Sequence, residues 1–203
     1  ELLKTLCNIH APSGEELALS EFLLNYINTN KSTWSVQPTI YHGEGFQDCI
    51  VLVFGKPTTA IFAHMDSIGF TVKYDNEIVK IGGPVTSEGI TVVGKDSQGN
   101  IEEHIIHKED DKGNKSLHIG GRLVDRGTSL TFKPDFRESN DFVQCCYMDN
   151  RLGVWNALKT AETLENGIIC FSSWEEHGGG SVGYLAKFIY EKYGVKQAII
   201  SDI

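Results

Sequence analysis

The sequence lacks two features that would each point to a particular class of protein. It has no block of Lys and Arg, and its formal net charge is −9. That charge argues against a nucleic-acid partner and against binding to an anionic membrane surface. No apolar run approaches the ~18 residues of a transmembrane helix, and no signal peptide is visible at the start. We therefore expect neither a nucleic-acid partner nor a membrane association.

Cysteine is also scarce, and its pattern excludes further classes. The chain has five cysteines in 203 residues and no CxxC pair. An odd number argues against a disulfide framework, and the missing CxxC pair argues against a thiolate zinc site. Reduced cysteines are typical of cytoplasmic proteins, so the sequence predicts a cytoplasmic location.

The distribution of apolar residues predicts an α/β fold. Apolar residues at helical spacing predict helices at the start of the chain and again after Met148 and Val182. Ser13 to Glu16 match a capping box, with Ser13 as the N-cap and Glu16 at N3. Near-continuous apolar runs predict strands buried on both faces, over residues 49–54, 60–63, 168–174 and 197–203.

The middle of the chain has a different residue pattern. Between about Lys73 and Val143, short β-type runs alternate with Gly, Asp and Asn, as expected of a small β domain. Such a sheet needs a covered face to be stable, and its exposed edges invite pairing. We predict a catalytic α/β domain of residues 1–72 plus 144–203, with residues 73–143 as an inserted β domain.

His64 and Asp66 form a His-x-Asp pair at the end of an apolar run. A strand places residues i and i+2 on the same side, so Asp66 can orient the His64 ring. A metal-bound imidazole usually donates its other N–H to such an acceptor. Taken alone, the pair is more often a strand-end histidine beside a solvated carboxylate.

Further acidic residues follow other predicted strands, where open α/β sheets place their sites. Asp149 alone is equally well explained as a helix cap, Glu175 and Glu176 as a solvated pair, and Asp202 as a terminal charge. Together with His64, they form an oxygen-rich ligand set that suits Zn²⁺, Co²⁺ or Mn²⁺. Two such ions ~3.5–4 Å apart would clamp a water and polarise a carbonyl. One of the adjacent glutamates would bind a metal while the other acts as general base.

These same residues lie in motifs that resemble metallopeptidase family 42. That family comprises tetrahedral-type and glutamyl aminopeptidases, including proteins called endoglucanase M. The motifs are HMDSIGF at 64–70, MDNRLG at 148–153 and EEHG at 175–178, with shorter matches at 11–15 and 81–83. The resemblance spans the chain and implies a di-metal aminopeptidase domain, a mixed sheet between helices, with an inserted β domain used in oligomerisation.

The resemblance also implies roles for individual residues. Asp149 would bridge two divalent ions per subunit, Zn²⁺ or Co²⁺ first and Mn²⁺ next. Glu175 would be the general base and Asp66 the orienting partner of an imidazole ligand. The full set of implied metal ligands is His64, Asp149, Glu176 and Asp202. The expected partners are peptide substrates and further copies of the chain.

The chain departs from the family pattern at three places. Asn150 stands where the family usually has Asp, which concerns a neighbouring contact, and Ser181 stands where it usually has Gly. The family's last ligand is a His far downstream, and no His follows His177. We therefore expect the chain to be incomplete at its C-terminus; otherwise one metal would lack a ligand, with His177 as the available substitute.

Two alternatives to a metallopeptidase remain open. Residues 179–183 match G-x-S-x-G with Ser181 as nucleophile, and residues 177–180 resemble an oxyanion-hole run, which favours an α/β serine hydrolase. That hypothesis leaves His64, Asp149, Glu175 and Glu176 unexplained. The other alternative is a non-catalytic protein that keeps the peptidase fold.

Overall fold

The computed structural model describes residues 1–111 and 113–203. Its helices are α1 (Leu2–Asn8), α2 (Leu17–Asn30), α3 (Met148–Ala161) and α4 (Val182–Tyr193). The first strands are β1 (Thr39–Gly43), β2 (Gln47–Phe54), β3 (Thr59–His64), β4 (Gly69–Val72), β5 (Glu77–Ile81), β6 (Thr91–Lys95) and β7 (Ile101–Asp111). The others are β8 (Asn114–Ile119), β9 (Ser129–Phe132), β10 (Arg137–Glu138), β11 (Val143–Gln144), β12 (Gly167–Ser172) and β13 (Gln197–Ile200).

The main sheet is mixed and has the strand order β1-β2-β12-β3-β13. Strands β12, β3 and β13 run parallel to one another, while β1 and β2 are antiparallel to their neighbours. The predicted α/β fold with a mixed sheet is therefore confirmed. Because the three parallel strands are adjacent, the segments that follow them leave the sheet at the same edge.

Alternation along β2 explains how the sheet is buried between helices. Ile50, Leu52 and Phe54 pack into a core with α1, α2 and α3. Residues between them, such as Val51 and Val53, pack on the opposite face with α4. Successive strand side chains point to opposite faces, so an unbroken apolar run is what a strand covered on both sides requires.

A six-stranded barrel forms the second structural unit. Its strands follow the closed order β4-β5-β8-β7-β6-β9, and its interior includes Phe70, Ile106 and Leu130. Closure pairs each barrel strand with a neighbour on both sides, whereas the two-stranded ladder of β10 and β11 lies outside the barrel. Apolar side chains from all six strands converge on one small core, which the sequence pattern of single strands did not reveal.

The barrel begins with β4, just before the predicted domain boundary between residues 72 and 73. This strand pairs with β5 and β9, both in the barrel. After β9 the chain forms a short ladder of β10 and β11 and then enters α3. The division into two domains at that boundary stays a prediction.

The last strand, β13, is less buried than its sequence predicts. It pairs with β3 on one side, and Ile199 and Ile200 are exposed. The predicted strand over residues 197–203 is found over Gln197–Ile200, and its residues are exposed, so the predicted burial is wrong for the described residues. No helix in the described residues is both long and apolar enough to cross a membrane.

Candidate metal centre

The candidate ligands meet at the carboxyl ends of the three parallel strands. His64 is the last residue of β3, Glu175 and Glu176 lie in a 3-10 turn shortly after β12, and Asp202 lies two residues beyond β13. Asp149 comes from the first turn of α3. The sheet and one helix thus bring together residues that are up to 138 positions apart in the chain.

The imidazole of His64 is the centre of this cluster. It is almost fully buried, with Nδ1 3.4 Å from Asp66 Oδ1 and Nε2 3.1 Å from Asp149 Oδ1. Asp202 Oδ1 lies 3.4 Å from the same Nε2 atom. One ring nitrogen therefore faces a buried carboxylate, and the other faces two partly exposed ones. This is the arrangement of a ligand imidazole with an orienting partner on its far side.

Protonation of His64 is dominated by its acidic neighbours. Burial lowers the pKa of the imidazole, but Asp66, Asp202 and Glu175 outweigh burial and raise the pKa of His64 to about 9. A proton on the His64 ring would offset part of the negative charge of these carboxylates. A divalent cation would neutralise the same carboxylates more completely.

Asp149 reaches the cluster by a different route from the predicted one. The prediction that a strand ends at Asp149 is wrong: β11 ends at Gln144 and pairs with β10, outside the main sheet. The Asp149 side chain is 54% exposed, and its peptide bond to Asn150 is cis. The approach from a helix start leaves this carboxylate open to solvent.

Glu176 completes a group of three possible ligands. One ligand atom from each of His64, Asp149 and Glu176 lies within 4.8 Å of the others. Burial, followed by the charge of Asp149, raises the pKa of Glu176 to about 7. Crowding of carboxylates beside an imidazole is what a cation site requires, because the cation relieves their mutual repulsion.

Asp66 has a second function that the sequence did not indicate. Its Oδ1 and Oδ2 atoms accept the backbone N–H groups of Glu175 and Glu176, both at 3.0 Å. Burial raises the pKa of Asp66, but the nearby His64 ring and the hydrogen bonds from these two amides outweigh burial, so the pKa is lowered. Asp66 therefore orients the His64 ring and holds the turn that carries both glutamates.

Glu16 was missed as a residue of the site. It is fully buried, and its Oε1 atom accepts the backbone N–H groups of Gly14 at 2.9 Å and Trp174 at 3.0 Å. The predicted capping box is wrong, because α2 begins at Leu17 and has no side-chain cap. Two buried carboxylates thus hold three successive amides, those of residues 174–176, and fix the turn at the site.

The barrel packs closely against Glu176 through Gly82. Gly82 follows β5 with a positive φ of +70°, and a Cβ atom there would lie 2.9 Å from Glu176 Oε2. It would also lie 2.8 Å from a methyl group of Ile68. Glycine is required at this position for both its backbone conformation and the close approach. The signal in the sequence was the Gly82–Gly83 pair of the family resemblance.

The donors present fit divalent transition metals. One imidazole and several carboxylates, without a thiolate, suit Zn²⁺, Co²⁺ or Mn²⁺. Glu175, Glu176, Asp149 and Asp202 receive no salt bridge from Lys or Arg in the described part of the chain. The excess of negative charge around His64 is therefore available to a cation.

The hydrogen bonds of Ser181 indicate a structural role for this side chain and not that of a nucleophile. It is buried, and its Oγ atom donates to Ser173 O and accepts from Ser173 N, both at 3.0 Å. The thiol of Cys49 donates to the same oxygen. Among the described residues no histidine hydrogen-bonds Ser181, and the N–H groups of His177, Gly178 and Gly179 are bound to carbonyls of residues 174 and 175. His177 is exposed and lies outside the three-ligand group.

Comparison with known proteins supports the fold. No family model and no curated protein matches the chain. Among solved structures, the chain is similar to aminopeptidase APDkam598 from the archaeon Desulfurococcus kamchatkensis, with a TM-score of 0.75 and 21% identity. That match covers 98% of this chain and 61% of the aminopeptidase, so the chain spans less than two thirds of its length.

Two further solved structures have a similar fold. The TET1 peptidase of Pyrococcus horikoshii has a TM-score of 0.69 at 21% identity, over 98% of this chain and 67% of the peptidase. An endoglucanase from Thermotoga maritima has a TM-score of 0.70 at 18% identity, over 98% of this chain and 64% of the other. The chain has the fold of these peptidases, and at such low identity the similarity extends no further than the fold.

Proposed function

We propose that this protein is a metal-dependent aminopeptidase that removes N-terminal residues from peptides. The observation that supports this function best is the clustering of five carboxylates around His64 at the carboxyl edge of a peptidase-like sheet. Aminopeptidases are also among the proteins that share the fold. We keep a cytoplasmic location as part of the proposal, and all five cysteines are free.

In this proposal, two divalent ions are held by four side chains. These ligands are His64, Asp149, Glu176 and Asp202. Asp149 is proposed as the ligand shared by both ions because of the family resemblance, and its carboxylate is 54% exposed. Bound ions would supply Lewis acidity, which polarises the peptide carbonyl and makes a water molecule more acidic.

Side chains of the protein would then transfer the proton. Glu175 would accept a proton from the attacking water and donate it to the leaving amine, as a general base that becomes a general acid. Asp66 supports this step indirectly, because it fixes the backbone of Glu175 and the ring of His64 at once. The distance and orientation between the proposed base Glu175 and the proposed ligand His64 are thereby fixed.

A free N-terminus should be required for hydrolysis. The acidic cluster attracts the ammonium group of a substrate, whereas an acetylated terminus carries no charge and is bulkier. We expect leucine p-nitroanilide to be hydrolysed and N-acetyl-leucine p-nitroanilide to be hydrolysed at least about 100-fold more slowly, a loss of about 2.7 kcal/mol in transition-state binding. Release of p-nitroaniline measures both rates. Equal hydrolysis of the two compounds would contradict an aminopeptidase.

The serine-hydrolase alternative has less support. The buried Ser181 hydroxyl already makes three hydrogen bonds, and three amides of the run that resembles an oxyanion hole, those of residues 177–179, are bound to backbone carbonyls. A non-catalytic protein with this fold is tested by the same arylamide assay, in which it would show no turnover.

We further propose that the protein forms a homo-oligomer through the barrel. Tet-type assembly has a precedent among proteins of this fold, since the TET1 peptidase can assemble into a tetrahedron or a large octahedral shell. On the barrel of this chain, Ile101 and Leu123 are 72% and 73% exposed and line the same surface depression. Exposed apolar side chains rimmed by polar residues favour a protein contact, and here we propose a second copy of the chain.

Substitution of both side chains should reduce the assembly. The double variant Ile101→Asp/Leu123→Asp is expected to sediment as a smaller species than the parent, because two charges would be buried at the contact. Tyr190→Asp is the matched control, since Tyr190 is exposed on α4, away from the barrel. An unchanged size for the double variant, or a smaller size for Tyr190→Asp, would place the interface elsewhere.

A further inference from the structure

The 10–16 segment, which lies between α1 and α2, contacts both the barrel and the candidate metal centre. At one end, the imidazole of His10 lies between two hydroxyls of β9. Its Nε2 atom is 3.0 Å from Ser129 Oγ, and its Nδ1 atom is 3.1 Å from Thr131 Oγ1. The Ser129 hydroxyl also donates to Glu15 Oε2 at 2.6 Å. Three side-chain hydrogen bonds therefore attach the 10–16 segment to the barrel.

The sequence of β9 explains why this strand makes contacts on both of its faces. Successive side chains of a strand point to opposite sides. Leu130 is fully buried in the barrel interior, whereas its neighbours Ser129 and Thr131 face the 10–16 segment and are also buried. Buried hydroxyls need hydrogen-bond partners. His10 and Glu15 supply these partners.

The donors and acceptors at this contact complement one another. An ionised carboxylate only accepts, so the single proton of the Ser129 hydroxyl goes to Glu15, and its oxygen accepts the N–H of His10 Nε2. The unprotonated Nδ1 atom of His10 then accepts the hydroxyl proton of Thr131. Burial is the main cause that lowers the pKa of His10, which agrees with a neutral ring. Each bond in this chain of four groups therefore has one donor and one acceptor.

At its other end, the 10–16 segment holds the turn that carries the two candidate glutamates. Glu16 is fully buried, and its Oε1 atom accepts the N–H of Trp174, the residue before Glu175. Trp174 has a φ of +64°, a left-handed conformation that a bulky residue rarely adopts. Such a conformation persists only where the surrounding structure fixes it. The bond to Glu16 is one of the contacts that fix it, beside the bonds from the next two amides to Asp66.

The middle of the 10–16 segment is attached to the chain that leads from His64 to the barrel. Ser13 N–H donates to Ser67 O at 3.0 Å, and Ser67 N–H donates to Ala11 O at 3.1 Å. These backbone bonds stay in place when a side-chain contact with the barrel is removed. Loss of that contact should therefore loosen the 10–16 segment without unfolding it.

We propose that Ser129 of the barrel is a positioning residue for the turn that carries the candidate general base Glu175. Ser129 fixes Glu15, and the neighbouring Glu16 fixes the backbone of Trp174. The inference rests on the proposed function for the role of Glu175, whereas the connection itself does not involve a metal. It predicts that a change in the barrel alters the turn, although the hydrogen bonds of Ser129 in the described structure include none of the candidate ligands.

Amide hydrogen exchange of Trp174 in the metal-free protein tests this connection, with wild type, Ser129→Ala and Ser116→Ala compared. Ser116 lies on β8 of the barrel and its hydroxyl also contacts a histidine, His118, at 3.0 Å, so Ser116→Ala makes the same change away from the 10–16 segment. In Ser129→Ala, the Trp174 amide should exchange roughly 3- to 10-fold faster, the effect of about one hydrogen bond on a local opening equilibrium. Ser116→Ala should exchange like wild type. Equal exchange in the two variants would overturn the proposal.

Glu15→Ala removes the other partner of the same hydrogen bond, at an exposed position where folding is not at risk. It should also speed the exchange of the Trp174 amide, and it decides the question if Ser129→Ala does not fold. The double variant Glu15→Ala/Ser129→Ala should exchange no faster than Ser129→Ala, because both changes remove one contact. Additive effects would show that the two side chains act separately, and they would contradict the proposal.

Hydrolysis of leucine p-nitroanilide by the metal-loaded proteins tests the consequence for the base. Ser129→Ala should have a lower kcat than Ser116→Ala, with KM and metal content unchanged, because displacement of a catalytic group by about 1 Å costs up to about 10²-fold in rate. An unchanged kcat would overturn the role of Ser129 in placing Glu175. No turnover by the wild-type protein would contradict the proposed function instead, and the exchange measurement would still decide whether Ser129 positions the turn.

Discussion

Glu175→Gln is expected to lose turnover while keeping its metal. Glutamine has nearly the same size, and the backbone N–H of residue 175 would still bond to Asp66, so the turn should keep its place. The amide cannot accept the proton that a general base removes, and the rate of arylamide hydrolysis should fall about 10²–10⁴-fold. Metal content, measured by elemental analysis, should stay at the wild-type value.

Glu176→Gln provides the matched comparison, because the two glutamates are adjacent and the substitution is the same. An amide is a weaker ligand than a carboxylate, so this variant should lose metal affinity first and turnover as a result. Glu191→Gln, at an exposed position of α4, controls for the loss of one negative charge. If Glu175→Gln turned over at the wild-type rate, its assignment as the base would be wrong. If Glu175→Gln lost metal and Glu176→Gln kept it, the two roles would be exchanged.

Complete removal of metal is expected to abolish hydrolysis. Dialysis against a chelator should reduce the rate to background, and addition of Zn²⁺ or Co²⁺ should restore it, with about two ions bound per chain. Reloading should also stabilise the protein, by about 2.7 kcal/mol when the free metal concentration is 100 times its dissociation constant. Thermal unfolding with and without metal measures this second effect independently of activity.

A different result would favour the serine hydrolase. Full activity after exhaustive chelation, together with labelling of Ser181 by a fluorophosphonate, would contradict the metallopeptidase. Labelling requires the Ser181 hydroxyl to leave its hydrogen bonds with Ser173, so we expect none. Restored activity without labelling is the result that agrees with the proposed function.

The carboxylates that hold the turn could not be predicted from the sequence. Glu16 lies in a segment whose pattern matches a capping box, yet its acceptor oxygen bonds to Trp174, 158 residues away. Similarly, Asp66 was expected to contact His64, but its bonds to two amides of residues 175 and 176 arise only when β3 and β12 lie side by side. Local patterns contain no information on such partners, because a carboxylate accepts any N–H that folding brings near.

By itself, the sequence indicated the main helices and strands of this protein and the identity of its candidate ligands. Periodicity indicated the helices and strands, since side chains repeat every 3.6 residues along a helix and every two along a strand. The side chains that can bind metal can also be read from the sequence. His64, Asp149 and Glu176 lie in the family-like motifs, and Asp202 lies at the end of a predicted strand.

Only the tertiary structure decided how these parts are arranged. It closed the six short strands into a barrel, paired β13 with β3 and brought Asp149 from a helix to within 3.1 Å of His64. It also brought the Ser129 hydroxyl of the barrel to within 2.6 Å of Glu15. The physical reason is the same in each case. These contacts join residues distant in sequence, and their geometry depends on the packing of whole elements, which is not encoded in any one segment.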